Sequence, residues 1–109
     1  MDKNQAIRII KRFVKAVKKE GIFVDRVILY GSYARGRIRA DSDIDVAVIS
    51  RNFGKDRTEE GMKLFRIAGE IDSRLEPVPI SVQAFENDTW IPLIYEIREK
   101  GVDLKKFLN

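Results

Sequence analysis

The stretch YGSYARGRIRADSDIDVAV, Tyr30 to Val48, places a Gly-Ser turn, three arginines and three alternating aspartates between two apolar runs. The run from Arg26 to Tyr30 indicates a short buried strand that stops at Gly31, and Asp43 to Ser50 indicates a second strand. Like charges crowded into one place destabilise a fold unless groups of opposite sign join them. The stretch therefore predicts a ligand site between the two strands.

The second strand begins with two aspartates that share one face. Alternation along a strand sends Asp43 and Asp45 to one side and Ile44, Val46 and Val48 to the other. A rise of roughly 3.3 Å per residue separates the two carboxylates by about 6–7 Å along the strand. Carboxylates in this arrangement can converge on hard cations, and two magnesium ions about 4 Å apart serve phosphoryl and nucleotidyl transfer.

The turn before the arginines is suited to a phosphate. Gly31 and Ser32 lie between a strand and a predicted short helix, where backbone N–H groups and a hydroxyl can meet an anion. Arg35, Arg37 and Arg39 add positive charge, and Arg35 is the best candidate among them for phosphate binding or for structural pairing. A triphosphate with its metal ion would satisfy charges of both signs in this stretch.

Two other ligand loops do not fit the stretch. A Walker phosphate loop requires Lys and Ser/Thr after its second glycine, where this chain has Arg37 and Ile38. An EF-hand that starts at Asp41 requires Gly at its sixth position and Glu at its twelfth, where the chain has Val46 and Asn52.

The rest of the chain predicts one α/β domain over residues 1–109, with a mixed sheet packed against helices in the order α-β-β-α-β-α-β. Pro77 and Pro79, near the third strand, indicate either an edge position or a bulged entry for it. The remaining predicted elements are an amphipathic helix that ends at Gly21, a helix over Thr58–Leu75, a strand over Val78–Phe85, a helix with its N-cap in Asn87–Thr89 that ends at Gly101, and a short strand over Val102–Phe107.

Composition removes several classes of chemistry. The 109 residues include no cysteine and no histidine, which excludes disulfides, thiolate sites, Ser-His arrangements and most zinc sites. No apolar run approaches the roughly 20 residues of a membrane span, and the charged N-terminus is unlike a signal peptide. We therefore expect a cytoplasmic protein without a membrane partner. The net charge of +4 favours anionic partners only mildly, so nucleic acid is not expected as a partner.

The compound motif resembles a known family. Gly31-Ser32, ten residues, then Asp43-x-Asp45 is similar to the signature of the DNA polymerase β-like nucleotidyltransferases, and Gly-Ser-Tyr-Ala-Arg-Gly resembles their minimal bacterial and archaeal members. The resemblance covers nearly the whole chain and implies that Asp43 and Asp45 bind Mg²⁺ or Mn²⁺. It also implies that Gly31 and Ser32, with Arg35, hold the triphosphate of ATP.

The family resemblance further implies a partner. Many such proteins are antitoxins paired with a helical HEPN-type toxin, and some transfer AMP from ATP to a tyrosine of that toxin. A chain of this length has no second domain for an acceptor, so the acceptor site is expected from such a partner or from a second copy in a homo-oligomer.

One departure from the family pattern concerns the third carboxylate, which active members carry on the next core strand. Here the corresponding run is Pro79-Ile80-Ser81-Val82, so Ser81 is predicted to stand in its place. Glu76 and Glu86 flank the strand and are candidates to substitute for the carboxylate, although neither is at the expected position. Serine neither binds a metal ion well nor activates a hydroxyl. A relative that binds nucleotide or partner without turnover therefore stays as an alternative to an active enzyme. A basic RNA-binding domain is a third interpretation. Net charge is its only support, since aromatic side chains on which bases could stack are not evident.

Overall fold

The computed structural model describes residues 2–105, which form a mixed four-stranded sheet with helices on both faces. The predicted α/β fold is confirmed, with two short helices added to the predicted order. The elements are α1 (Lys3–Lys19), β1 (Arg26–Tyr30), α2 (Ser32–Arg35), β2 (Ile44–Ser50), α3 (Arg57–Ile71), β3 (Leu75–Ser81), α4 (Val82–Asn87), α5 (Pro92–Lys100) and β4 (Val102–Asp103). The end of the predicted last strand, residues 106–107, lies outside the described range.

The sheet has the strand order β3-β2-β1-β4. Strand β1 pairs antiparallel with β2 and with β4, whereas β2 and β3 run parallel and are joined through α3. Strand β3 is an edge strand, which is one of the two arrangements that its prolines predicted. A proline has no backbone N–H, so it cannot take the full set of hydrogen bonds of a strand with a neighbour on both sides. The parallel pair brings the first residues of β2 and β3 to the same end of the sheet.

Each face of the sheet buries its own apolar cluster. The first lies under α1 and α3 and includes Phe13, Leu64 and Val46. The second lies under α4 and α5 and includes Ala47 and Ile97. Helix α1 buries its predicted apolar positions because they recur at helical spacing; they are Ala6, Ile10, Phe13, Val14 and Val17. No helix within residues 2–105 combines the length and the hydropathy needed to cross a bilayer.

The boundaries around β3 differ from the predicted ones. Leu75 continues the apolar spacing of α3, but the helix ends at Ile71 and Leu75 is the buried first residue of β3. The turn between them is closed by Asp72, whose carboxylate accepts hydrogen bonds from the backbone N–H of Arg74 at 2.9 Å and from its guanidinium at 2.7 Å. Apolar spacing alone does not report this side-chain bond, so it could not reveal the helix end.

The chain after β3 was also predicted wrongly. Residues 82–85 belong to α4 and not to a strand, because the Ser81 hydroxyl accepts a hydrogen bond from the Ala84 N–H at 3.0 Å and caps that helix. The N-cap of α5 is Ile91, not a residue of Asn87–Thr89, although Pro92 lies in the first turn as predicted.

Candidate active site

The Gly31-Ser32 turn connects β1 to α2, as predicted. Gly31 has φ 72° and ψ −145° and is the N-cap residue of the four-residue helix, so Ser32 is its first residue and not its cap. A Cβ built at Gly31 would collide with Oδ2 of Asp45 and lie 3.1 Å from its Cγ. Both the backbone conformation and the close approach require glycine. The turn is thereby held directly against the carboxylate of Asp45.

The two aspartates flank the first residue of β2, Ile44, so the strand starts one residue later than predicted. Asp43 is exposed and precedes the strand, whereas Asp45 is half-buried within it. Asp45 shares its face with Ala47 and Ile49, which pack in the cluster beneath α4 and α5. The candidate site therefore lies on the face of the sheet that packs against α4 and α5.

The strand register decides which residues adjoin Asp45. Tyr30 is its partner on β1, and Glu76 is its partner on β3. Side chains of paired residues point to the same face of a sheet, and Tyr30 and Val78 indeed pack with the same cluster as Ala47. Glu76 is thus the carboxylate next to Asp45 on the neighbouring core strand.

Ser81 does not occupy that place, so this part of the sequence interpretation is wrong. It pairs with Ser50, five residues along the strands from the level of Asp45 and Glu76. Its hydroxyl is committed to the first turn of α4. The error followed from starting β3 at Val78, because a strand that starts at Leu75 aligns Glu76 with Asp45.

The site carries an excess of negative charge. Burial raises the pKa of Asp45, and the nearby charges of Asp43, Glu76 and Glu96 raise it further, whereas Arg35 lowers it. The same surroundings raise the pKa of Tyr30 to about 12, first through burial and then through the carboxylates. Tyr30 is therefore a protonated hydroxyl at neutral pH.

Arg35 is the cation of this site. Its guanidinium lies 4.0 Å from the carboxylate of Glu96 on α5, and both side chains remain partly exposed, at 45% and 37%. Arg37 and Arg39 are exposed in the loop that follows α2, and the Arg39 N–H donates to the Ser42 hydroxyl at 2.7 Å. The structure therefore brings Gly31, Ser32 and Arg35 to Asp45 and leaves the other two arginines toward solvent.

The chemistry of these donors fits a hard cation. Within residues 2–105 no three acidic side chains lie close enough to form a ready-made metal cage. Burial, and after it the charges of Asp43 and Glu76, raise the pKa of Asp45, and Glu76 is its partner on β3. Mg²⁺ binds to oxygen ligands, usually one or two carboxylates together with water and substrate phosphates. Asp43, Asp45 and Glu76 are the residues suited to hold it.

The sequence analysis did not identify Tyr30 or Glu96 as site residues, and it did not place Glu76 at the expected carboxylate position. Glu76, Val78 and Ile80 alternate on one face of β3 as Asp45, Ala47 and Ile49 do on β2, a signal that could have identified Glu76. Glu96 lies on α5 between two buried isoleucines, and the helix pattern gives no indication of what it faces. The pairing of Tyr30 with Asp45 required the register.

These features define a candidate nucleotide-transfer site on a mixed α/β sheet. The family model of the nucleotidyltransferase domain matches residues 10–105, and the chain belongs to that family. It is a minimal nucleotidyltransferase, as the Gly-Ser and Asp-x-Asp residues predicted.

Two individual proteins resemble this chain. The protein named "Putative protein adenylyltransferase MJ0141" of Methanocaldococcus jannaschii is 31% identical over 103 residues, which cover 92% of this chain and 99% of the relative. A crystal structure of a "putative nucleotidyltransferase" from Sulfolobus solfataricus has a TM-score of 0.66 and 15% identity, and the match covers 94% of this chain and 81% of that one. At that identity the structural match bears on the fold alone.

Proposed function

We propose that the protein is a magnesium-dependent nucleotidyltransferase of one minimal domain, which transfers AMP from ATP to a hydroxyl acceptor. The observation that carries the proposal is the register that aligns Glu76 with Asp45, beside the Gly31 turn. The non-catalytic alternative depended on a serine in the third carboxylate position, and Ser81 lies elsewhere. The name of the relative from M. jannaschii supports an adenylyl group as the one transferred.

In the proposed reaction, the acceptor oxygen forms a bond to the α-phosphorus of ATP while the bond from that phosphorus to pyrophosphate breaks. The acceptor proton passes to the carboxylate of Glu76, which acts as the general base. Gly31 and Ser32 hold the triphosphate, and Arg35 offsets part of its charge. When bound by Asp43, Asp45 and Glu76, Mg²⁺ (or Mn²⁺) would neutralise charge on the phosphate oxygens.

The acceptor is proposed to be a tyrosine of a helical HEPN-type partner, with this chain as the antitoxin of the pair. Exposed apolar side chains in and just before α5 support a protein partner: Trp90 is 78% exposed, Tyr95 54% and Leu93 41%. Co-expression with the product of the neighbouring gene should give one peak in size-exclusion chromatography. Separate elution at micromolar concentration would contradict the pairing, and a dimer of this chain alone would favour a second copy as the acceptor.

The decisive experiment uses ATP labelled on its α-phosphate, Mg²⁺ and the candidate partner, and compares Glu76→Gln with Glu86→Gln. Glu86 is an exposed residue of α4 and provides a control with the same chemical change. Loss of a general base lowers rates by about 10²–10⁴-fold, so Glu76→Gln should nearly abolish label transfer while Glu86→Gln retains it. Equal transfer by the two variants would contradict the role of Glu76.

A binding measurement separates turnover from nucleotide affinity. Mg²⁺ with ATP should raise the melting temperature of the wild type, because a ligand that binds only the folded state stabilises it. Asp43→Asn should abolish that shift without unfolding the protein, since the exposed side chain keeps its volume and loses only its charge. A full shift in this variant would refute the assignment of the metal site.

A further inference from the structure

The positive charge of the chain is concentrated in one helix. Helix α1 has seven lysines and arginines and no acidic residue, whereas the whole chain has a net charge of +4, so the rest of the chain is net acidic at −3. Most of these cations are exposed; they are Arg8, Lys11, Arg12, Lys15, Lys18 and Lys19. A solvated helix normally mixes both signs, because i,i+4 pairs of opposite charge stabilise it and like pairs destabilise it.

Two adjoining grooves follow this face. The first has a volume of about 550 Å³ and is lined by Gln5, Ile9 and three arginines, Arg8, Arg12 and Arg74. The second shares Arg12 and continues along Lys11, Lys15 and Lys18. Lys19 lies eleven positions after Arg8, so the row is about 16 Å long at 1.5 Å per residue. We call this row of cations, together with Arg74, the basic track.

The basic track reaches the end of the sheet at which β2 begins, on the face opposite Asp45. The carbonyl of Arg74 accepts a hydrogen bond from the N–H of Ile44 at 2.8 Å, and Ile44 lies between the two aspartates. Arg74 also pairs with Asp72, whose pKa falls to about 2 mainly through that hydrogen bond, with Arg12 contributing. Asp72 forms an ion pair with one cation of the two grooves, Arg74.

We propose that the basic track binds the phosphate backbone of a nucleic acid. Half to two-thirds of the hydrogen bonds between proteins and DNA go to phosphate and sugar, largely from Arg and Lys. An acidic protein is the other polyanion that could bind here, but protein interfaces centre on aromatic and apolar anchors. The grooves of the track offer only the aliphatic side chains of Ile9 and Val14, so charge dominates and the binding should be independent of sequence. Nucleic-acid binding by the basic track would be an additional property of the protein, and it does not depend on the proposed nucleotidyl transfer.

The test is fluorescence anisotropy without ATP, with a labelled 20-nucleotide single-stranded RNA, over 25–200 mM NaCl. Each phosphate contact contributes about −0.7 to the slope of log K against log salt for a single strand. The triple variant Arg8→Ala, Arg12→Ala and Lys15→Ala should therefore flatten the slope by about 2 and weaken binding at low salt by more than tenfold. Alanine is the best helix former, so α1 should persist, and its melting curve verifies this.

A matched control removes three exposed cations from other parts of the chain, Lys55→Ala, Lys100→Ala and Lys105→Ala, and has the same net charge. This control should keep most of the affinity and the slope of the wild type. Three results would each overturn the proposal: no binding at 25 mM NaCl, equal losses in the two triple variants, or equally tight binding of polyglutamate of the same charge. The last would assign the track to an acidic protein.

Discussion

Replacement of Gly31 by alanine tests the contact on which the candidate site depends. Gly31 combines a positive φ of 72° with a backbone that passes directly against the carboxylate of Asp45. Alanine would strain the backbone and would also force the Asp45 side chain to turn away, since its Cγ would lie 3.1 Å from the new Cβ. The two effects can be separated because one changes stability and the other changes ligand binding.

The size of each effect follows from the structure. A non-glycine residue in such a region of φ and ψ costs roughly 1–3 kcal/mol. In a domain of this size, 1 kcal/mol corresponds to about 4–8 °C, so the melting temperature of Gly31→Ala should fall by at least about 4 °C. Wild-type protein at a ligand concentration of 100 Kd gains about 2.7 kcal/mol, which corresponds to a rise of about 11–22 °C. Gly31→Ala should lose most of that rise.

Gly21→Ala is the matched control for the assay. Gly21 also has a positive φ, of 85°, but a Cβ built there meets nothing within 4 Å. Differential scanning fluorimetry of both variants, with and without Mg²⁺ and ATP, should show a lower melting temperature for each but an intact ligand shift only for Gly21→Ala. A ligand shift of wild-type size in Gly31→Ala would refute the reasoning, because Asp45 would then not need its contact with the turn.

Two further predictions concern stability and the corrected role of Ser81. Because the pKa of Asp45 is raised in the folded protein, the folded state binds its proton more tightly, and stability falls as the pH rises through that pKa. Asp45→Asn should therefore raise the melting temperature of the ligand-free protein at neutral pH, and the rise should shrink as the pH falls through the pKa of Asp45; equal changes at neutral and acidic pH in circular dichroism melts would exclude an electrostatic cause. Ser81→Ala should cost about 1 kcal/mol through loss of the α4 cap. Ser81→Asp keeps that cap, so chemical denaturation should show a loss of stability only for Ser81→Ala. A marked gain of AMP transfer in Ser81→Asp would support the original prediction that Ser81 stands at the third carboxylate position.

Much of the fold was determined by the sequence alone, because it depends on local chemistry. The spacing of apolar residues defined α1, and Gly31 ended β1 because its conformation and its contact with Asp45 exclude a side chain. The prolines of β3 predicted its edge position because they have no N–H to donate. The Gly-Ser turn and the two aspartates were also recognisable as one motif, because only ten residues lie between Ser32 and Asp43.

The third carboxylate was decided by tertiary structure. Glu76 is 31 residues from Asp45 along the chain, and its place depends on the register between β2 and β3. That register depends in turn on where α3 ends, which the hydrogen bonds between Asp72 and Arg74 determine. Glu96 reaches the site only because α5 packs across the same face of the sheet. Residues brought together by pairing and packing over such separations leave no local pattern, so the charge balance around Asp45 became visible only in the folded chain.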